Sequence, residues 1–465
     1  MTPEPEPEPE PEPLLPETRR ALLHRVAIAQ AEGRTPSLVA AVVRDGAVVW
    51  SGARSMIDGH APDADTQYRI GSITKTFVAV EVLRLRDEGL LDLADPLGKH
   101  LPDAAEVADL TIAQLLSHSA GLAAEATDPW WERTPGELRP ATADLLGDHP
   151  RPHPAGRRFH YSNPGFALLG ALIERLRGAS WDEVLEDEVL RPLGMARTTP
   201  LPRNPAAGGW AVHPWADVMQ PEVVVDTGRM GPAGQLWSTA EDLGRWAAFL
   251  LDGNDQVLSA ATLAEMREPV AVSRTQDMAG GWGLGIQLLR DHGRTLFGHG
   301  GSMPGFVAGM WISADQRLAG ISLSNATSAP GVAADLVRIV AEREPRLPEP
   351  WRPLFGADPE LLALTGPWYW GTHTYLLRVL ADRGLDLSPI GEQGRPSRFR
   401  AEADGTWTGL DGYFAGEPLR VVGRDGQPHL NVGTFVFTRQ PYEPGEAVPG
   451  GVDPAGWQVA GSDSR

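Results

Sequence analysis

The sequence predicts an α/β (α+β) unit followed by a small all-β domain, and three observations carry that expectation. Apolar, β-branched runs at Leu38 to Val43 and Ala47 to Trp50 flank Asp45-Gly46, the pattern of a β-hairpin. Strand-like runs return only after Gly281, at Leu284 to Leu289, Arg294 to Phe297, Phe306 to Ile312 and Leu318 to Ser324, which leaves the long middle to helices and loops. Beyond the proline-rich stretch Pro345 to Pro359, six short runs between Tyr375 and Thr438, with turn signals at Asp404-Gly405 and Asp425-Gly426, read as a small antiparallel β-domain.

Taken in order, Pro3 to Pro13 alternates Pro and Glu and predicts a stiff, solvated tail. Glu17 to Glu32 reads as an amphipathic helix ended by Gly33. Thr66 to Ile70 reads as a short strand that delivers the chain to Ser72-Ile73-Thr74-Lys75. From Ile73 to Leu85 the pattern is apolar nearly all round, which marks a buried helix, with Gly89 as a left-handed cap. Leu110 to Leu122 reads as a Thr-capped short helix ending in a tight loop, where His118 is either catalytic or bonded to its own turn. Trp130 and Trp131 sit in a Pro- and Trp-rich segment, 123 to 155, that either walls a pocket or holds the two rings in core or surface packing; the wall is the expectation carried forward. Phe159 to Gly165 is a turn into a helix over Phe166 to Leu176, and Gly231 to Leu251 is a Gly-rich bend into a helix capped near Ser238-Thr239. A last helix, Gly331 to Glu342, closes the first unit. The resulting plan is a tail (1–13), a catalytic domain (14–344), a linker (345–360), a β-domain (361–442) and a polar tail (443–465).

Bulk properties exclude several classes. A net charge of -20 argues against nucleic acid or an anionic membrane as partner. No apolar run has the length of a membrane span and no signal peptide is visible, so the expectation is a cytoplasmic protein. The absence of Cys removes thiol nucleophiles and thiolate metal sites. No cofactor or metal is called for.

The lysine usage is more informative. Lys75 and Lys99 are the only lysines among 41 cationic side chains. Arg serves wherever a permanent cation suffices, and only Lys can be neutralised by burial and take up a proton. Lys75 lies one helical turn after Ser72, so both side chains face one space at a helix N-terminus. The bland alternative is a capping Ser and a snorkelling Lys. Tyr161 and Asn163, two residues apart in an extended turn, point one way. His299-Gly300-Gly301-Ser302 lies between two of the strand runs, where glycines let a ligand approach backbone.

Ser72-x-x-Lys75, Tyr161-x-Asn163 and His299-x-Gly301, in that order and spacing, resemble the serine β-lactamase and DD-peptidase family, specifically its class C-like branch of esterases and D-peptidases. The connecting segments Gly89 to Pro96, Leu115 to Leu122 and Gly234 to Asp242 are similar too. The likeness covers about residues 20 to 345, and the trailing β-domain resembles the lipocalin-like barrel of such hydrolases. The resemblance implies an antiparallel sheet flanked by helices with an inserted helical subdomain. It implies Ser72 as the acylated nucleophile, Lys75 and Tyr161 as base and acid, Asn163 as holder of substrate and Lys75, and His299 as the opening of the third motif. Gly300 and Gly301 then line the edge strand, and the N–H groups of Ser72 and Ser302 form the oxyanion hole.

The departure from Lys-Thr-Gly at His299-Gly300-Gly301 removes a cation and a hydroxyl for a β-lactam carboxylate. It points to a serine hydrolase of small esters, amides or D-residue peptides, with a small-molecule or peptide acyl substrate. Ester turnover is expected to fall below about pH 6 as His299 and the Lys75–Tyr161 pair take up protons. The alternatives are a peptide macrocyclase or acyltransferase of the penicillin-binding-protein thioesterase type, and a penicillin-recognising sensor without turnover. An α/β-hydrolase is excluded by the lack of Gly-x-Ser-x-Gly, and a zinc peptidase by the lack of His-Glu-x-x-His.

Overall fold

In the computed structural model, Asp45 and Gly46 both take left-handed backbone (φ 50° and 85°) and close the predicted hairpin. Its strands are β1 (Ser37–Arg44) and β2 (Ala47–Ser55). The structure describes residues 13–442 except 58, 139–140, 273–279, 349, 354–355, 357, 392 and 425–426. The expected Pro-Glu tail (all but Pro13), the Asp425-Gly426 turn and the tail from 443 lie outside the described residues. The chain divides into two units, Met1–Arg346 and Leu347–Arg465.

The first unit is built on an eight-stranded antiparallel sheet. After β1 and β2 come β3 (Ala271–Val272), β4 (Gly280–Trp282), β5 (Gln287–Asp291), β6 (Arg294–Met303), β7 (Phe306–Ser313) and β8 (Leu318–Ser324), in the spatial order β2-β1-β8-β7-β6-β5-β4-β3. Strand β1 lies next to the edge strand β2 but is covered on both faces, which is why its sequence is a continuous apolar run. Its alternate residues serve two cores: Leu38, Ala40 and Val42 join one cluster, and Val39, Ala41 and Val43 join the other. Each fully buried Val or Leu contributes about 1.5–3 kcal/mol.

Helix α1 (Pro16–Glu32) covers the first face through Leu22, Val26 and Ala29, together with the last helix of the unit, Ala333–Arg343. The second face meets helix α2 (Thr74–Asp87), in which all but a few residues are buried, as its sequence required. Gly89, at φ 76°, ends that helix, with the Leu90 N–H reaching back to the Leu85 carbonyl.

Between β2 and β3 lies the helical insertion. The Thr111 cap is a full capping box with Gln114, as the sequence pattern implied. Ser162 caps helix α3 (Asn163–Arg177), and Gly178 at φ 75° ends it. Gly170 of α3 packs directly on Pro232, so the short turn Gly231–Gly234 is held against the helix. Helix α4 (Ala240–Asp252) starts at Thr239, whose hydroxyl accepts from the Asp242 N–H. No helix among the described residues is long and apolar enough to cross a membrane.

The second unit holds eight antiparallel strands in sequential order, Gly366–Trp370 to Phe435–Phe437, that form a nearly closed barrel. Tyr369 and Thr438 exchange backbone hydrogen bonds (2.8 and 2.9 Å) and bring the first strand to the end of the last. Two strands exceed the six expected. Gly366–Trp370, with Pro367 and three polar or aromatic neighbours, lacks a clean alternation of its own. The run His429 to Thr438 is two strands folded at Gly433, whose φ of 57° breaks an otherwise strand-like sequence.

Strands of the first unit differ too: β3 and β4 stand ahead of the first expected run, added by edge pairing onto β5, and β6 is longer than its apolar run. Strand β6 does not end at Phe297 but runs through Gly298, His299, Gly300 and Gly301 to Met303. Glycine weakens a strand by propensity, yet pairing with β7 along Phe297–Met303 overrides it. His299 therefore lies within a strand, not in a loop between two.

Candidate active site

Four separated segments meet at Ser72. The residue sits in a single 3-10 turn, Gly71–Ile73, that opens α2. Strand β6 approaches this turn backbone to backbone. A Cβ added at Gly301 would lie 1.9 Å from the Ile70 carbonyl oxygen, and one at Gly71 would lie 2.6 Å from the Ser302 nitrogen. Only glycine permits that approach, which sets the backbone of Ser302 directly against the turn that carries Ser72.

Lys75 is wholly buried and its amine makes three hydrogen bonds: to Ser72 Oγ (3.1 Å), Asn163 Oδ1 (2.8 Å) and the Ala233 carbonyl (2.5 Å). Burial pulls its pKa down to about 7, against the opposing pull of the Glu125 and Glu132 carboxyls. A neutral amine has two N–H groups and one lone pair. Asn163 Oδ1 and the Ala233 carbonyl can only accept, so they claim both N–H groups and leave the lone pair aimed at the Ser72 hydroxyl. Burial raises the Tyr161 pKa above the ordinary phenol value, against a smaller opposing effect of the neighbouring Ser72 hydroxyl. The Lys75 amine also stands 5.0 Å from the centre of the Tyr161 ring. A serine held between a neutral amine and a protonated phenol can give up its proton to one and take it back through the other.

One residue not read from the sequence, Glu125, orients Asn163 beside Lys75. Glu125 accepts from Asn163 Nδ2 (3.0 and 3.1 Å) and from Trp131 Nε1 (2.8 Å). A carboxylate only accepts, so Glu125 fixes which way the Asn163 amide faces. Glu125→Gln is expected to lower kcat by up to about 100-fold through misplacement of Asn163. It should also move the acid limb of the pH profile to lower pH, because a charge that favours the Lys75 ammonium is gone. An unchanged limb would show that Glu125 does not act on Lys75. No local pattern around Glu125 marks it. Trp282, amid Gly280, Gly281 and Gly283, carried the signal of a large ring at a close backbone approach.

His118 is buried in left-handed backbone (φ 54°), and its Nδ1 accepts from the Ser162 N–H (3.1 Å). Its ring stacks on Tyr161 at 4.2 Å, so it bonds the Tyr161–Ser162 turn and supports the phenol rather than its own loop. Burial, then the Lys75 charge, hold its pKa well below the usual value. His299 is likewise buried, with its pKa pushed down to about 3 by burial and by Lys75. Its Nδ1 donates to the Gly300 carbonyl (2.5 Å), and its Nε2 has no hydrogen-bond partner among the described residues. His299 therefore does not titrate near pH 6, and the expected acid limb belongs to Lys75 alone.

Ser72, Tyr161, Asn163, Trp282 and His299 line a cleft of about 530 Å³, with Gly300, Gly301 and Ser302 along one edge. The expected wall is corrected. Trp130 is exposed, and Trp131 turns inward onto Glu125; among the described residues of that segment only Glu132 reaches the cleft. The short turn Trp131–Arg133 rotates successive side chains to different sides. The aromatic wall is instead Trp282, edge-on to His118 (4.9 Å) and His299 (5.2 Å). Among the described residues no group of three or more His, Asp or Glu is placed to hold a metal ion.

The family model described as Beta-lactamase matches residues 22–343. The chain belongs to the beta-lactamase family. A second model, a domain of unknown function (DUF7586), matches residues 357–439. Among relatives of this beta-lactamase-family chain, Penicillin-binding protein 4 of Amycolatopsis lactamdurans is 30% identical over 326 residues, 66% of this chain and 85% of that protein. Among solved structures, the octameric penicillin-binding protein homologue from Pyrococcus abyssi covers 91% of this chain and 99% of its own, with TM-score 0.62 and 21% identity. The D-stereospecific amidohydrolase from Streptomyces sp. covers 71% of this chain and 98% of its own, with TM-score 0.58 and 27% identity.

Proposed function

We propose that this protein is a serine hydrolase that acts through a Ser72 acyl-enzyme on small esters, amides or peptides with a D-configured residue. One observation carries the reading: the two acceptor-only partners of the Lys75 amine leave its lone pair for Ser72. The neutral Lys75 takes the Ser72 proton as Oγ attacks the substrate carbonyl, and the N–H groups of Ser72 and Ser302 receive the developing oxyanion. Tyr161 returns a proton to the departing group, and water then releases the acyl group by the reverse path. The likeness to a D-stereospecific amidohydrolase supports the choice of substrate class. Glu132 is the one charged side chain among the described residues lining the cleft, so no cation faces a β-lactam carboxylate.

The test is a fluorophosphonate probe followed by intact mass and peptide mapping. One adduct, on Ser72, is expected; an adduct elsewhere with Ser72 unmodified overturns the assignment. The pH dependence follows from Lys75. Its neutral fraction grows as pH rises through about 7, so kcat/KM for p-nitrophenyl acetate should rise with pH, level off above about pH 8, and fall about tenfold per unit well below 7. A limb centred at pH 3 to 4 would remove Lys75 as the base.

A further inference from the structure

His118 takes left-handed backbone (φ 54°), a region that side chains populate sparsely. Among the described residues, Arg34, Asp45, His292, Arg317 and Arg383 share it, and all of these stand at least partly in solvent. Only His118 combines that backbone with burial. A strained conformation persists where its surroundings fix it, and here the surroundings are those of one catalytic side chain. The His118 carbonyl accepts from the His160 N–H (2.8 Å), and its Nδ1 accepts from the Ser162 N–H (3.1 Å). These two bonds fix the backbone on either side of Tyr161. Between them the imidazole stacks on the Tyr161 ring, with centroids 4.2 Å apart and planes inclined by 29°. One residue thus holds the phenol at three points.

Packing alone does not call for an imidazole there. Phe159, Phe166 and Trp282 enclose the ring at 5.9, 5.2 and 4.9 Å. With Nδ1 accepting, the proton of the neutral ring sits on Nε2, which is buried and has no hydrogen-bond partner among the described residues. A buried donor without an acceptor is unfavourable, and a phenyl ring would fill the same space without one. What the imidazole supplies and a phenyl ring cannot is the acceptor for Ser162. His118 does not line the cleft, so it acts through Tyr161 and not on the substrate.

In the acyl-enzyme reading above, Tyr161 passes a proton to the departing atom. That proton matters most for a basic leaving group: p-nitrophenolate departs as a stable anion, whereas an alkoxide or an amide anion does not. Resting on that reading, we infer that His118 is a positioning residue for Tyr161, and that its clamp decides whether basic leaving groups, alcohols and amines, can be expelled.

The test holds the acyl group constant, with ethyl butyrate and p-nitrophenyl butyrate, and reads kcat/KM so that acylation alone is compared. Two variants accept left-handed backbone: His118→Gly removes both ring and acceptor, and His118→Asn returns an acceptor, Oδ1, at the place of Nδ1. His118→Gly should lose about 100-fold more on ethyl butyrate than on p-nitrophenyl butyrate, and His118→Asn should recover most of that difference. Equal losses on the two esters, or an Asn variant no better than the Gly variant, overturn the inference. A readout that needs no turnover separates it from the hydrolase reading. With a ring-fluorinated tyrosine in place of Tyr161, the protein should give one narrow fluorine resonance, broadened or split in His118→Gly and narrow again in His118→Asn. That pattern without turnover of either ester would keep the clamp and refute the hydrolase. Ester turnover with a resonance unmoved in His118→Gly would keep the hydrolase and refute the clamp.

Discussion

Ser72→Ala is expected to lower kcat/KM for p-nitrophenyl esters by about 10⁴-fold or more, to the background set by binding and the oxyanion site alone. The same variant should take up no fluorophosphonate. Ser72 is the one hydroxyl placed between the Lys75 amine and the Tyr161 phenol, and no thiol exists to replace it, since the chain has no Cys. The fold should tolerate the change, because Ser72 makes its turn through backbone and leaves the buried helix behind it intact. Turnover that persists in a homogeneous, folded Ser72→Ala preparation would falsify the acyl-enzyme reading, and with it the role given to Lys75.

Lys75→Arg is expected to cost about 10³-fold although it keeps a cation. Arginine does not lose its proton at any working pH, so it offers no lone pair to Ser72. Its planar group is also larger than the space between Asn163, Ala233 and Ser72, all of which lie within 3.1 Å of the Lys75 amine. Lys99→Arg is the matched control. Lys99 is exposed and pairs with Asp95 (2.7 Å), a role that arginine fills as well. If the two substitutions behave alike, proton exchange is not what selects lysine at position 75. A Lys75→Met variant separates size from charge, since it is expected to be as inactive as Lys75→Arg while fitting the pocket.

Much of this was legible in the chain itself, because the signals were local. The hairpin at Asp45-Gly46 needs only two residues that tolerate left-handed backbone. The buried character of α2, the Thr111 cap and the Gly89 stop depend on neighbours within one or two turns. The Ser72–Lys75 pair was visible for the same reason, since three residues on a helix are one step apart in space, and the rarity of Lys made the second member conspicuous. The resemblance across Tyr161, Asn163 and His299 then joined three segments that no local rule connects.

What tertiary structure alone decided were contacts with no sequence neighbour. Strand β6 continues through three glycines because β7 pairs with it, and a propensity read along one strand cannot see the partner. Asn163 Oδ1, its amide turned by Glu125, and the Ala233 carbonyl reach Lys75 from 88 and 158 residues away, and it is their acceptor-only chemistry that sets where the lysine lone pair points. Trp282 rather than Trp130 or Trp131 became the aromatic wall because the rotation of a short turn, not composition, chooses which ring faces inward. The protonation states followed the same division. The identity of Lys75 and His299 told which groups can titrate, whereas their pKa values of about 7 and about 3 come from how completely the packed cleft excludes water around each.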